Sequence, residues 1–513
     1  MNYSFCSRCR KQVVAEHVQR DGREYLRKMC PDCGESFDLV SGDAELYNRK
    51  RTLLADEIPE GCDLNCLQCN AHRDPNLIFV ETTNRCNMNC PICITNVPAM
   101  GFEFEPGIEY FRRIFEYCAS FEFPPSVQLF GGEPTVRDDL FEIIELARSF
   151  GLSVRLVTNG LKLADPVYCD RIMKSGVSVL ISFDGLKKEM YEKLRGSASS
   201  MDLKLKALEN MSSHDRGKVI LMTVIDKDMN GDDMGKFLEY CFDNSRVVRG
   251  VFPMPLTQVW SEDTLDYKPE RTTVEDVEKI LDSSVPGKVE FVPLGSLTFD
   301  NLARLFGLRP LPFAGVHPNC ESFALLVNNG TGFVAMSNYL RTDVFSLVKD
   351  IRSLEKKAEA ALRAGGRSMR ARILIGARFA RLVLKHADLG GLVGAHGLDA
   401  IRRWAGIIIA MISGKRAKDV IREKTLFKGI LQILVLPFEH DETQESQRLQ
   451  HCSSGYTYID ERTDRIRWVP TCIWDKFKDD CLRSNARRFN KKGYDKGLAG
   501  PQVAGEKGVS DDR

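Results

Sequence analysis

Thiols at short, repeated spacing are the residues of this chain best placed to do chemistry. Ten of its seventeen cysteines fall before residue 94. Cys6-x2-Cys9 and Cys30-x2-Cys33 each supply two ligands from a tight knuckle, and the QVVAEHVQRDGREYLRK between them reads as a hairpin turning at Arg20-Asp21-Gly22. Folded that way, four thiolates surround one tetrahedral ion, zinc or a single iron. Such a site is closed, so a structural staple is expected. Cys86-Asn-Met-Asn-Cys90-Pro-Ile-Cys93 differs: three thiolates lie within eight residues, directly behind the strand-like Leu77 to Thr83. Three ligands to a cubane [4Fe–4S] cluster leave one iron open to an exogenous ligand. Cys62-Asp-Leu-Asn-Cys66-Leu-Gln-Cys69 repeats that spacing behind the loop DEIPEG, with no strand ahead of it. A dispersed set, Cys320 behind His317-Pro-Asn with Cys452, Cys472 and, as a further candidate, Cys481, lies around the β-like GYTYIDERTDRIRWVP and predicts a shared auxiliary cluster. Cys118, Cys169 and Cys241 fall on helical patterns and are expected in the core.

The elements that must hold these thiols follow from periodicity. Between Leu77 and Val292, short β-rich runs (LIFVETT, SVQLF, LSVRLVT, VSVLISF, KVILMTVI, VVRGVF, VEFV) alternate with helical patterns such as IEYFRRIFEYCASF. About six βα units on a parallel sheet predict an α/β fold, a partial (β/α)6 TIM-like barrel whose site sits at the carboxyl ends of the strands. The expected organisation is a metal ribbon over 1–50, a cysteine segment over 51–76, the barrel over 77–300 and an HPNC segment over 301–341. A basic helical section over 342–440, a second auxiliary-cluster segment over 441–490 and a disordered tail over 491–513 complete it. The 513 residues, 43% hydrophobic, bury large cores, and 72 Lys and Arg against 71 Asp and Glu give no chain-wide pull towards nucleic acid. With no apolar h-region at the start and no run of 18 apolar residues, a cytoplasmic protein with reduced thiols is expected.

Behind Cys93, in order, come Gly131-Gly132-Glu133-Pro134, Thr158-Asn159-Gly160 and Ser182-Phe183-Asp184-Gly185, each ending a strand-like run. The glycines permit close backbone approach to a ligand, and Glu133 can accept from an ammonium. With CxxxCxxC after the first barrel strand, this order resembles the radical S-adenosylmethionine (SAM) superfamily across roughly residues 77 to 260. The resemblance implies that Cys86, Cys90 and Cys93 hold a SAM-binding [4Fe–4S] cluster. It implies that Gly131, Gly132, Glu133, Asn159, Ser182 and Asp184 surround SAM, and that an injected electron yields a 5′-deoxyadenosyl radical. A donor such as flavodoxin or ferredoxin is then required. Lacking a strand ahead of them, Cys62, Cys66 and Cys69 are assigned to an auxiliary iron–sulfur cluster, with Cys320, Cys452 and Cys472 as ligands of one or of a second.

The whole order of parts, ribbon, two triplets, GGEP, HPNC and a late cysteine pair, is similar to the archaeal tetraether lipid synthases and their bacterial relatives. That resemblance implies C–H abstraction and C–C bond formation on a lipid or other long aliphatic substrate. The alternative is a radical SAM maturase or methyltransferase acting on a peptide or a pterin-like cofactor; the non-enzymatic alternative is an iron–sulfur carrier or scaffold, in which GGEP would have no purpose. Residues 341–430 carry twenty Lys and Arg against eight Asp and Glu. Amphipathic basic helices with the runs Trp404–Ile412 and Ile430–Phe438 suit an anionic headgroup boundary, so peripheral contact with the inner membrane face is expected. Arg363, Arg367, Arg370, Arg378 and Arg381 are expected to hold an anionic head. Ile373, Leu374, Ile375, Leu382 and Leu384 are expected to line an entrance. Nucleic acid is disfavoured by the lack of interleaved aromatics.

Overall fold

The computed structural model describes residues 1–54, 58, 60–69, 74–96, 100–214, 218–257, 269–308, 317–365, 368–412, 416–450 and 452–491. Strands β1 (Tyr3–Phe5), β2 (Gln12–Arg20), β3 (Arg23–Cys30) and β4 (Gly34–Ser41) form an antiparallel sheet in that order. Asp21 and Gly22 both take positive φ between the paired Arg20 and Arg23, the geometry that matches a hairpin's twist. The ribbon is fastened to the segment around Glu445: the Asn2 amide donates to Glu445 Oε2 (2.6 Å), Tyr3 N to Ser446 Oγ (2.9 Å) and Lys28 Nζ to the Glu442 carbonyl (2.7 Å).

Apolar runs buried on both faces build the second sheet. Its centre is β5 (Leu77–Thr83), β6 (Ser126–Gly131), β7 (Val154–Thr158), β8 (Ser178–Ser182), β9 (Val219–Ile225) and β10 (Val248–Pro255), parallel and adjacent in chain order. Every residue of β5 is buried, as a parallel strand covered on both faces requires. Helices cross over between the strands; Ile108–Ala119 turns Tyr110, Phe111, Ile114, Phe115 and Cys118 inward. Cys118, Cys169 and Cys241 are all buried, as their helical spacing predicts. This is the expected partial barrel.

Its flanks differ from the sequence expectation. The run VEFV supplies only β11 (Val292–Pro293), which pairs antiparallel with β12 (Ser322–Asn328) instead of adding a barrel strand; β13 (Phe333–Ala335) pairs with the other end of β12. The apolar run at Ile430, expected at a membrane headgroup boundary, is β14 (Gly429–Val435), parallel to β10 and buried through Leu431, Ile433, Leu434 and Val435. A run of Ile, Leu and Val interrupted only by Gln432 pairs on both edges here, so the strand wins over the surface helix. On the opposite flank β15 (Ser454–Ile459) runs parallel to β5 and is closed by antiparallel β16 (Ile466–Pro470).

The described residues of 336–428 therefore form an excursion between β13 and β14 with the helices Val344–Gly365, Met369–His386, Leu389–Val393, Gly397–Ile412 and Ala417–Lys424. The helices pack on one another. Leu354, Ala358 and Ile375 meet Leu305 in one cluster, and Val393, Ile407 and Val420 form another. Ile375 and Leu382 thus belong to a helix–helix core, not to an entrance. Arg367 and the tail from 492 onward lie outside the described residues.

Candidate functional site

At the carboxyl ends of the barrel strands a cavity of about 150 Å³ is lined by Cys86, Cys90 and Cys93 together with Gly131, Gly132, Glu133, Asn159 and Ser182. Motifs separated by almost a hundred residues meet there because parallel strands bring all their carboxyl ends to one edge. The remaining lining is mostly apolar and includes Phe130, Val157, Met222, Val224, Met254, Leu256 and Phe438.

The cysteine loop is held from beneath. Asn84 accepts Phe104 N (2.8 Å) and donates to the Phe102 carbonyl (2.5 Å), fixing the loop's entry. The buried Arg137 donates to the Thr82 and Pro106 carbonyls (2.7 and 2.8 Å) and pairs with Asp139 (2.9 Å). Gly132 N donates to the Thr83 carbonyl (2.7 Å), and Glu133 N to that of Arg85 (2.9 Å). A Cβ on Gly131 would lie 2.5 Å from the Thr83 oxygen, and one on Gly132 would lie 2.2 Å from the Arg85 oxygen. Both glycines are needed for close approach of the cysteine loop, whereas the sequence reading invoked approach of a ligand.

Glu133 joins the strand ends. Its Oε1 accepts Thr135 N (3.0 Å), Thr135 Oγ1 (2.6 Å) and Thr158 Oγ1 (2.7 Å), and its Oε2 accepts Asn159 N (2.6 Å). Burial raises its pKa, and these four donors oppose that rise. Asn159 in turn donates from Nδ2 to Asn87 Oδ1 in the cysteine loop (2.7 Å). Ser182 receives the fully buried Lys204 on both its carbonyl and its hydroxyl (2.7 Å each); burial, reinforced by Arg195, brings the Lys204 pKa down to about 8.

Asp184 does not line the cavity. Both carboxylate oxygens are spent on Arg195, Oδ2 to Nε (2.7 Å) and Oδ1 to Nη2 (2.9 Å), and Oδ1 also accepts Val224 N (3.0 Å). Arg195 is the residue that reaches the cavity wall. Arg195, Lys204 and Arg137 carry no motif signal; Arg137 alone stands close to one, three residues after Pro134.

The ribbon thiols Cys6, Cys9, Cys30 and Cys33 have Sγ atoms all within 4.8 Å of one another. The 3.6 Å between Cys9 and Cys30 Sγ suits one tetrahedral ion, for which zinc–sulfur bonds of about 2.3 Å imply roughly this sulfur spacing. Among the described residues no other His, Cys, Asp or Glu group is so tight. Cys86, Cys90 and Cys93 do not meet that limit together. Cys62 and Cys69 lie within electrostatic reach of the buried Cys66, and so does Cys452. Cys472 lies within the same reach of both Cys320 and Cys452, with the buried Arg448 beside it. Cys481 is not in this group: burial raises its pKa, and the charges that add to the rise come from Asp480 and Asp460.

Comparison with known proteins matches residues 80–241 to the radical SAM superfamily and residues 2–42 to the HMPTM N-terminal zinc ribbon domain. The 7,8-dihydro-6-hydroxymethylpterin dimethyltransferase of Methanocaldococcus jannaschii is 33% identical over 310 residues, 57% of this chain and 61% of that protein. The Fe-coproporphyrin III synthase of Methanosarcina barkeri is 34% identical over 145 residues, 28% of this chain and 35% of that protein. Streptococcus suis SuiB, solved with S-adenosylmethionine, overlaps 52% of this chain and 68% of its own at 14% identity and a TM-score of 0.34. The chain thus spans less than two thirds of either curated relative. Residues 80–241 thus match the radical SAM superfamily, and they stand behind an N-terminal segment that matches a zinc ribbon.

Proposed function

We propose that the cavity binds SAM on a [4Fe–4S] cluster held by Cys86, Cys90 and Cys93 and that the reaction acts on a small molecule, as a methyl transfer or a cofactor maturation. The observation that carries this reading is the convergence of those three thiols with Glu133, Asn159, Ser182 and Arg195 on one cavity. When bound, the cluster supplies an open iron to hold SAM and the electron that cleaves it to an adenosyl radical. The chain's own groups orient the ligand. Glu133 Oε2, engaged by one amide, keeps a lone pair for an ammonium, and Arg195, with two donors on Asp184, keeps others for a carboxylate. The apolar wall from Val157 to Phe438 excludes water from a reactive radical.

Support for a small substrate comes from the 33% identical pterin dimethyltransferase and from the cavity walls. Among the described lining residues none comes from 342–428. Coupling of alkyl tails would need a long apolar groove, and the basic helices provide none of this cavity's walls. The apolar lining is the one feature that favours a long-chain substrate. Cys62, Cys66, Cys69 and Cys452 are proposed to hold a second cluster, with Cys320 and Cys472 beside Arg448 completing that auxiliary region; a small electron carrier supplies the reductant.

Anaerobically reconstituted protein with dithionite and methyl-deuterated SAM tests the reading. It should form 5′-deoxyadenosine and labelled methionine from one SAM and, in a methyl transfer, pass the labelled methyl of a second SAM to a dihydropterin or a porphyrin-type acceptor with release of S-adenosylhomocysteine. Deuterium passed from a perdeuterated long-chain lipid to 5′-deoxyadenosine, with neither acceptor changed, would replace the small-molecule substrate; no 5′-deoxyadenosine at all would remove the SAM site.

A further inference from the structure

The helices Met369–His386 and Gly397–Ile412 each bury one stripe and expose a second, equally apolar stripe on the far side. In the first helix, Ile375, Ala371 and Leu382 face its neighbours. About 180° round, Met369, Ile373, Ala377, Ala380 and Leu384 follow one another at intervals of four, four, three and four residues, all exposed. In the second, Ile407, Ala400 and Trp404 face inward. Opposite them Leu398, Ile401, Ala405 and Ile409 repeat the pattern, again exposed. The large residues of these stripes are uncovered by between 60% (Leu384) and 74% (Leu398). An ordinary solvated helix face carries charge there, so this arrangement calls for an occupant.

Basic side chains border both stripes. Arg370 and Arg381 flank the first, Arg402 the second, and all three are exposed. The local balance of twenty Lys and Arg against eight Asp and Glu over 341–430 sits within a chain of net charge +1. Like charge opposes pairing of two such surfaces from two copies. Apolar side chains rimmed by arginine match the boundary between acyl chains and anionic headgroups, where aliphatic groups insert and guanidinium stays with phosphate. No helix among the described residues is long and apolar enough to cross a membrane, so the contact would be peripheral.

We propose that the helical excursion between β13 and β14 is a docking surface for an anionic lipid bilayer, seated through the outward stripes of Met369–His386 and Gly397–Ile412. This does not rest on the substrate reading, because the excursion contributes no described wall to the cavity. The arrangement holds the enzyme at a membrane while its site faces a small molecule.

Flotation of the reconstituted full chain with vesicles of phosphatidylcholine alone, or with 40% phosphatidylglycerol, tests it; vesicle composition here is about that of a strongly anionic leaflet. Wild type should bind the anionic vesicles at least tenfold better than the neutral ones, and binding should fall at high salt. I373D/L384D and I401D/I409D should each cut binding at least tenfold, and R370E/R381E/R402E should remove the preference for anionic lipid. All three variants should still form 5′-deoxyadenosine at the wild-type rate, which shows that they fold and separates this proposal from the functional one. No flotation of wild type at low salt, or flotation indifferent to the stripe variants, overturns it. So does a wild-type dimer, seen by light scattering, that the stripe variants convert to monomer.

Discussion

The carbonyl oxygen of Arg85 occupies the space beside Gly132 that a side chain would need, 2.2 Å from the position of its Cβ. The same oxygen accepts Glu133 N at 2.9 Å, so GGEP and the cysteine loop are built as one unit. Gly132→Ala must displace backbone and should destabilise the domain by about 3 kcal/mol. Iron content and 5′-deoxyadenosine formation should both fall by at least tenfold; Gly332→Ala, with nothing within 4 Å of its Cβ and no positive φ, should lose far less. Equal losses in the two variants would contradict the role given to Gly132.

Asp184 acts on the cavity through Arg195. Asp184→Asn leaves a buried guanidinium short of its counter-charge, a loss of about 3–5 kcal/mol for such a pair, and should raise the KM for SAM more than it lowers kcat. Steady-state kinetics of 5′-deoxyadenosine release check this. An unchanged KM would show that Arg195 does not meet SAM.

How much of this was legible in the sequence depended on whether the signal was local. Leu77–Thr83 and the five parallel strands after it announce themselves by apolar runs between helical patterns, and the cysteine pairs by spacing alone. The Ile430 run could not be assigned that way, because a short apolar stretch reads alike as strand or helix; only pairing with Gly250 and Val251 decides it. Asp184 failed for a related reason: Ser182 of the same motif lines the cavity, but the partner that draws Asp184 away, Arg195, is eleven residues on in a helix without a signature. Burial of Lys204 beneath Ser182 is likewise a tertiary fact.

The ribbon should hold one metal ion and serve folding. Binding free energy of a four-thiolate site is on the order of 10 kcal/mol, so Cys6→Ser or Cys30→Ser should lose one equivalent of zinc or iron and lower soluble yield before chemistry changes. Metal analysis together with 5′-deoxyadenosine formation by the soluble fraction checks it. Full metal content in either variant would contradict the four-ligand site.

Ribbon docking should weaken at alkaline pH. Burial depresses the pKa of His17, but Glu445, with Nε2 at 2.9 Å, and Glu24 outweigh burial and hold it up at about 9. A folded pKa raised above the ordinary 6.5 adds stability that is complete below about pH 6.5 and is lost as pH rises through about 9. The amount is on the order of 3 kcal/mol. The difference in Tm between wild type and His17→Gln should therefore be largest near pH 6 and shrink towards pH 9.5. A difference that grows with pH would reverse the assigned sign.

The division of labour between the two cysteine triplets is the centre of this account, and the rate of reductive 5′-deoxyadenosine formation measures it directly. Replacing Cys86, Cys90 and Cys93 with alanine should abolish the product, whereas replacing Cys62, Cys66 and Cys69 should leave uncoupled SAM cleavage partly intact. Cleavage that survives the first replacement and vanishes with the second would exchange the two sites.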